Sequence, residues 1–275
     1  MTVRAYIATE GPHDVAFLAE LLRPWGLKRL TKLKDVDAFW DPLIPKTFPH
    51  NGDLLARVPV PIFFTGNDRM VALDSASGIS ELARRVEENL SVLDANAPPA
   101  IAVILDADSK ESPADRFQGL AMKLRKLRLP IPDRAGAISQ QDPRCGIFVL
   151  PDNASAGTLE TLLEECAAEN YARLWERSKT YVAGIDPQEL SAEDLKDFQK
   201  PAGRQKAIIS AMAAILRPGK AIQVSLQDNQ WIRGRALDLP RIQSIRGFLA
   251  DLLHLPWPPA PPADNGGDAA PSQAV

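Results

Sequence analysis

The stretch Ala100-Ile101-Ala102-Val103-Ile104-Leu105-Asp106-Ala107-Asp108 decides the fold. It is an unbroken apolar run that stops at an acid. Its length and branched content predict a strand buried on both faces, the kind found at the centre of a parallel sheet. Working outward, Val3–Thr9 is a second such run, bounded by Glu10-Gly11-Pro12, and Cys145–Leu150 is a third. Helical patterns separate them. Val15, Phe17, Leu18, Leu21 and Leu22 share one face of a helix ending near Pro24; Ser77-Gly78 opens another that carries Ile79, Leu82, Val86 and Leu90. Ala114–Leu127 and Thr158–Ala168 are two more. Ile62–Phe64 and Met70–Leu73 are read as strand pieces of a hairpin turning at Gly66-Asn67-Asp68. Strands alternating with helices predict an α/β fold with right-handed crossovers and a mostly parallel central sheet.

Residues 1–168 are expected to form this α/β domain, broken by an irregular insertion over about 26–61 that holds Lys28, Arg29, Lys32 and Lys34 and the prolines Pro42, Pro45, Pro49, Pro59 and Pro61. Over 169–255 the pattern turns helical, in Tyr171–Lys179, Glu189–Phe198, Arg204–Leu216 and Ile242–Leu253, and this part is expected to pack on the first. Residues 256–275 are rich in Pro, Ala and Gly and are expected to be a disordered tail.

The 275 residues are 45% hydrophobic and 24% charged, which excludes a wholly disordered, collagenous or coiled-coil chain. The net charge of −3 excludes a histone-like binder but leaves room for local basic patches. No stretch approaches the roughly 18 apolar residues of a membrane span. The N-terminus lacks the pattern of a signal peptide, and two cysteines, Cys145 and Cys166, read as reduced thiols, so a cytoplasmic protein is expected. With only three histidines, a His-rich zinc site is disfavoured.

The informative residues are the acids at strand ends. Glu10 follows the first strand, with Asp14 one helical turn later; Asp106 and Asp108 follow the central one. Ligands of open α/β sheets bind outside the carboxyl ends of strands, so these four carboxylates should converge. Such crowding is unfavourable unless a cation neutralises it, and hard oxygen ligands suit Mg²⁺, with Mn²⁺ as substitute. The plainer alternative is a turn plus acids favoured by a helix N-terminus. Asp152, in Pro151-Asp152-Asn153 after the third strand, is either a further ligand or a turn-forming residue. Basic clusters, Lys123, Arg125, Lys126 and Arg128 on one helix and Lys200 and Arg204 near a later one, suit a nucleic-acid backbone, or else are ordinary partners of helix ends. Arg233, Arg235, Arg241 and Arg246 beside Trp231 are open to the same reading.

Glu10 in the turn after the first strand, with Asp106-x-Asp108 after a later one, resembles the TOPRIM domain shared by type IA topoisomerases, DnaG-type primases, recombination proteins of the RecR kind and OLD-family nucleases. Gly78 looks like the glycine such domains often carry. Asp14, Pro151-Asp152-Asn153 with Gly157-Thr158-Leu159-Glu160, and Lys206-Ala207 before Pro218-Gly219 are similar to the DUF3226 group, allied to the OLD-type proteins. The resemblance spans about residues 3–220, with 26–61 unmatched. It implies a Rossmann-like TOPRIM core and Mg²⁺-dependent phosphodiester hydrolysis of DNA or RNA. It further implies Glu160 as a metal ligand, Lys206 as the group that neutralises the reacting phosphate, and an ABC/SMC-like ATPase partner, often in anti-phage defence. The sequence lacks a Walker loop, a primase zinc element and a setting for a topoisomerase tyrosine. The alternative is a non-catalytic TOPRIM interaction subunit of a nucleic-acid or ATPase complex.

Overall fold

The structure is a computed structural model and describes residues 2–47, 60–107 and 111–257. Its strands are Val3–Thr9 (β1), Lys28–Arg29 (β2), Ile62–Gly66 (β3), Arg69–Ser75 (β4), Ala100–Asp106 (β5) and Cys145–Leu150 (β6). They form one six-stranded sheet in the order β2-β3-β4-β1-β5-β6. The pairs β4–β1, β1–β5 and β5–β6 are parallel, and β2–β3 and β3–β4 are antiparallel. The fold is therefore mixed α/β with a mostly parallel sheet. β5 lies between two parallel neighbours, as its apolar run requires. The expected hairpin is present, and its turn residues Asn67 and Asp68 both have positive φ, 50° and 56°, which matches the twist of the flanking strands.

The helices are Pro12–Leu22 (α1), Leu82–Val92 (α2), Pro113–Lys126 (α3), Leu159–Asn170 (α4), Ala172–Ala183 (α5), Ala192–Phe198 (α6), Gly203–Leu216 (α7), Ile222–Asp228 (α8) and Pro240–Leu253 (α9). Strand residues alternate between two cores. Ala5, Ile7, Val71, Leu73, Ala102, Ile104 and Phe148 meet α1, α4, α7, α8 and α9 on one face. Tyr6, Ala8, Ala72, Ile101, Val103 and Ile147 meet α2 and α3 on the other. This period of two is the pleat itself. The C-terminal helices complete the first core, with α9 packed across β1, β5 and β6.

Several expectations change in detail. The 26–61 region is not wholly irregular: Lys28 and Arg29 pair with Thr65 and Phe64 at the sheet edge, and Trp40 and Leu43 are buried in the second core. Residues 48–59 lie outside the described part. Helix α8 was not foreseen, because seven residues carry too little periodicity to register. A short 3-10 turn, Ile79–Glu81, separates Gly78 from α2. Trp257, placed by sequence in the tail, packs at 6.0 Å from Trp25, whose indole N–H donates to the Pro256 carbonyl. No helix among the described residues is long and apolar enough to cross a membrane.

Candidate active site

Parallel pairing puts the carboxyl ends of β1, β4, β5 and β6 at one edge of the sheet. Thr9 stands level with Ser75 and Ile104, and Asp106 with Leu150. Glu10 leaves β1 in a turn held from below: the Gly78 N–H donates to its carbonyl at 2.9 Å. Gly78 sits at φ 120°, ψ 162°, a conformation that L side chains rarely adopt, so the sequence needs glycine there.

The acids are fixed by backbone amides. The Asp106 N–H donates to Glu10 Oε1 at 2.8 Å, and the Leu159 N–H, at the start of α4, donates to Asp106 Oδ1 at 2.8 Å. The Gly11 N–H donates to Asp14 Oδ2 at 2.7 Å, closing the first turn of α1. The Thr158 hydroxyl donates to Glu160 Oε2 at 2.7 Å, and Lys206 Nζ stands 4.0 Å from Glu160 Oε1. For Asp14 the local capping role and the clustered role coexist.

Electrostatics tie these groups into one unit. Burial pushes the Asp106 carboxyl up to about 9, and the negative charges of Asp14, Glu10 and Glu160 add to it against the Leu159 hydrogen bond. Burial likewise pushes Asp14 up to about 7; the Gly11 amide opposes, while Glu10 and Glu160 add. His13 is held below its ordinary value by burial, with Glu160 opposing and Lys206 adding. A cleft of about 380 Å³ opens beside the cluster, lined by Glu10, Asp106, Thr158, Arg116, Lys200 and Lys206 among others.

Glu10, Asp14, Asp106, Glu160 and Lys206 are thus brought together. Asp108 lies outside the described residues. Asp152 is drawn elsewhere and takes the turn-forming alternative. Its carboxylate accepts from the Ala154 and Ser155 amides at 3.0 and 2.6 Å and pairs with Arg241 at 2.8 Å. Burial alone would raise its proton affinity; the Ser155 amide, Arg241 and the Ala154 amide outweigh that and hold it down at about 2. Asn153 completes the turn by accepting from the Val149 amide.

The basic residues divide as well. Lys123, Lys126, Arg128 and Arg204 are exposed, Arg204 lying over the Phe198 ring at 5.2 Å. Lys200 pairs with Asp197 and lines the cleft. Arg125 instead ties its own helix to the following loop through the Ile131 and Pro132 carbonyls and Asp133. Two C-terminal arginines are fold-building, Arg233 pairing with Glu20 and Arg241 with Asp152 and Glu165, while Arg235 is exposed and makes a surface pair with Glu169. Arg246 is buried between Trp25 and Trp257, at 5.4 and 5.3 Å from their rings. Arg116 was not singled out by sequence, although it lies in the first turns of the helix that follows Asp106-x-Asp108.

The donor set suits a hard divalent cation. Carboxylate oxygens are the ligands such ions prefer, and like-charge crowding in a buried place is what a cation relieves. Among the described residues, no group of three or more His, Cys, Asp or Glu side chains is disposed to hold a metal. The fit therefore rests on charge and donor chemistry.

No match is found among curated proteins. The crystal structure of a hypothetical protein from Pyrococcus horikoshii OT3 is similar at 15% identity and a TM-score of 0.46, over 91% of this chain and 95% of that one. Residues 4–253 match the family described as "Protein of unknown function (DUF3226)". A match over nearly the whole chain assigns it: the chain belongs to the DUF3226 family.

Proposed function

We propose that this protein hydrolyses phosphodiester bonds of nucleic acid with the help of a divalent cation, on a TOPRIM-like core allied to the OLD nucleases. One observation carries the reading. Glu10 and Asp106, from two parallel strand ends, are joined directly and share a buried negative field with Asp14 and Glu160 beside a cleft edged by Lys206.

Glu10, Asp14, Asp106 and Glu160 would hold the ion, with Asp108 as the further carboxylate of the motif. Bound there, Mg²⁺ supplies positive charge against a phosphate, with Mn²⁺ as substitute. The chain's own residues do the rest. Glu10, at the cleft wall, takes a proton from the attacking water. Asp106 is oriented by the Leu159 amide and in turn orients Glu10 through its own N–H. Lys206 reaches in from α7 and meets charge as it develops on the phosphate. Strand contacts fall to Lys123, Lys126, Arg128, Lys200 and Arg204. By its resemblance the protein works in the cytoplasm with an ABC/SMC-like ATPase, as the effector of an anti-phage system.

The test is to incubate purified protein with DNA and with RNA in Mg²⁺, Mn²⁺ or EDTA, alone and with an ATPase encoded beside it. Metal-dependent cleavage that Asp106→Asn abolishes supports the reading. Stable association with the ATPase and no cleavage under any condition replaces it with a non-catalytic interaction subunit.

A further inference from the structure

Helix α3 begins firmly. Pro113 fills its first position, and the Ser112 hydroxyl accepts from the Asp115 amide at 3.1 Å while donating to the Asp115 carboxylate at 2.7 Å. Arg116 therefore leaves a rigid platform. Its guanidinium is drawn back to the carbonyl of Ala107, the residue after Asp106, at 3.3 Å, and to Glu111 at 3.1 Å. Its side chain is only 14% exposed. Arg116 lines two clefts: the 380 Å³ cleft of the acidic cluster and a neighbouring one of 260 Å³. Ile79 and Arg116 line both, and Lys123 lines the second together with Gly119, Glu111 and Asp115.

Arg116, Gly119 and Lys123 stand at i, i+3 and i+7, hence on one stripe of the helix. Between the two cations the stripe is bare: Gly119 has no side chain, and a Cβ there would meet nothing within 4 Å. Two cations two turns apart, separated by an open gap, span about 10 Å. That is the rise of about three stacked nucleotides of one strand. A guanidinium fixed next to the acidic cluster also has the planar geometry that matches a phosphate.

We propose that Arg116 is a substrate-positioning residue that seats a backbone phosphate beside the acidic cluster, and that the substrate strand leaves the cleft over Gly119 towards Lys123. This rests on the phosphodiester reading and deepens it: the substrate is a polynucleotide strand extending several nucleotides from the reacting phosphate, not an isolated phosphodiester.

The experiment measures anisotropy of a fluorescein-labelled single-stranded 12-mer and of a labelled dinucleotide, in EDTA and in Mg²⁺, with steady-state cleavage alongside. Wild type should prefer the 12-mer. Arg116→Ala should weaken 12-mer binding by about tenfold or more, the effect of losing a charge-assisted contact, and Arg116→Lys should recover part of it. Lys123→Glu should weaken binding and flatten its salt dependence by about one unit, whereas Lys220→Glu, an exposed change of equal charge elsewhere, should do less. In cleavage, Arg116→Lys and Lys123→Glu should raise KM more than they lower kcat. If Arg116→Ala does not fold, Arg116→Lys and Lys123→Glu carry the test. Wild type that cleaves 12-mers while these variants match it in affinity and KM overturns this proposal and leaves the hydrolase reading standing. Arg116- and Lys123-dependent binding with no cleavage does the reverse. Wild type that neither binds nor cleaves overturns both.

Discussion

The backbone amide of Asp106 donates a 2.8 Å hydrogen bond to the carboxylate of Glu10. The first acid of the central strand end therefore sets the orientation of the acid at the neighbouring strand end. Asp106 is also the acceptor for the first amide of α4, so its oxygen and its charge have separate consequences.

Those consequences part in two substitutions. Asp106→Ala removes both, and loss of the acceptor should lower stability by about 1 kcal/mol, as for other helix-start caps. Asp106→Asn keeps the acceptor and removes a charge that burial and three other carboxylates oppose, so without divalent ions it should melt no lower than wild type. Both should abolish metal-dependent cleavage. Thermal melts followed by circular dichroism check this, and an Asn variant that melts several degrees below the Ala variant would contradict it.

Asp14 and Asp106 bind protons more tightly folded than unfolded, with values raised from 3.8 to about 7 and about 9. At these two sites the folded state therefore holds more protons through this window, and their contribution to stability falls as pH rises from about 4 towards 9. Below the unfolded value both states are protonated and the effect is absent. Melting temperatures from pH 5 to 9 in EDTA should decline, Asp106→Asn should decline less, and Mg²⁺ should flatten the wild-type curve. Parallel curves for wild type and Asp106→Asn would remove the buried cluster as the cause.

Lys206 is 63% exposed at the side chain and 4.0 Å from Glu160, so its removal should spare the fold. If it meets charge developing on the phosphate, Lys206→Ala should lower single-turnover rate by about 10²–10³-fold with little change in affinity. Weakened binding with an unchanged saturated rate would make it a strand contact instead, and Lys200 or Arg204 the next candidate.

Asp74 is 1% exposed. Its carboxylate accepts from Arg85 at 2.7 Å, Tyr6 at 2.7 Å and Asn89 at 2.6 Å. Asp74→Ala would leave a guanidinium beside polar groups without their acceptor, and should cost about 3–5 kcal/mol. Urea unfolding monitored by fluorescence measures this; a loss below about 1 kcal/mol would show the network to be dispensable.

The comparison of Asp74 with Asp106 shows how far the sequence reaches. It determined five of the six strands and most of the helices, because apolar runs and helical periodicity are local signals, whereas the two-residue β2 carries no such pattern. It also determined that Glu10 and Asp106 close strands of one parallel sheet. The pleat even fixes which way each acid points, since Asp106 shares the parity of Ala102 and Ile104, and Asp74 that of Ala72. What the sequence could not supply is which helix covers which face. Tertiary packing set α2, with Arg85 and Asn89, against the face of Asp74 and satisfied it as a structural acid. It set α1 and α4, with Asp14 and Glu160, against the face of Asp106 and crowded its charge. The same packing turned Asp152 towards Arg241 and buried Arg246 between Trp25 and Trp257. Charge pairing depends on long-range proximity, so identical acids at equivalent strand ends acquire opposite roles only once the layers have closed.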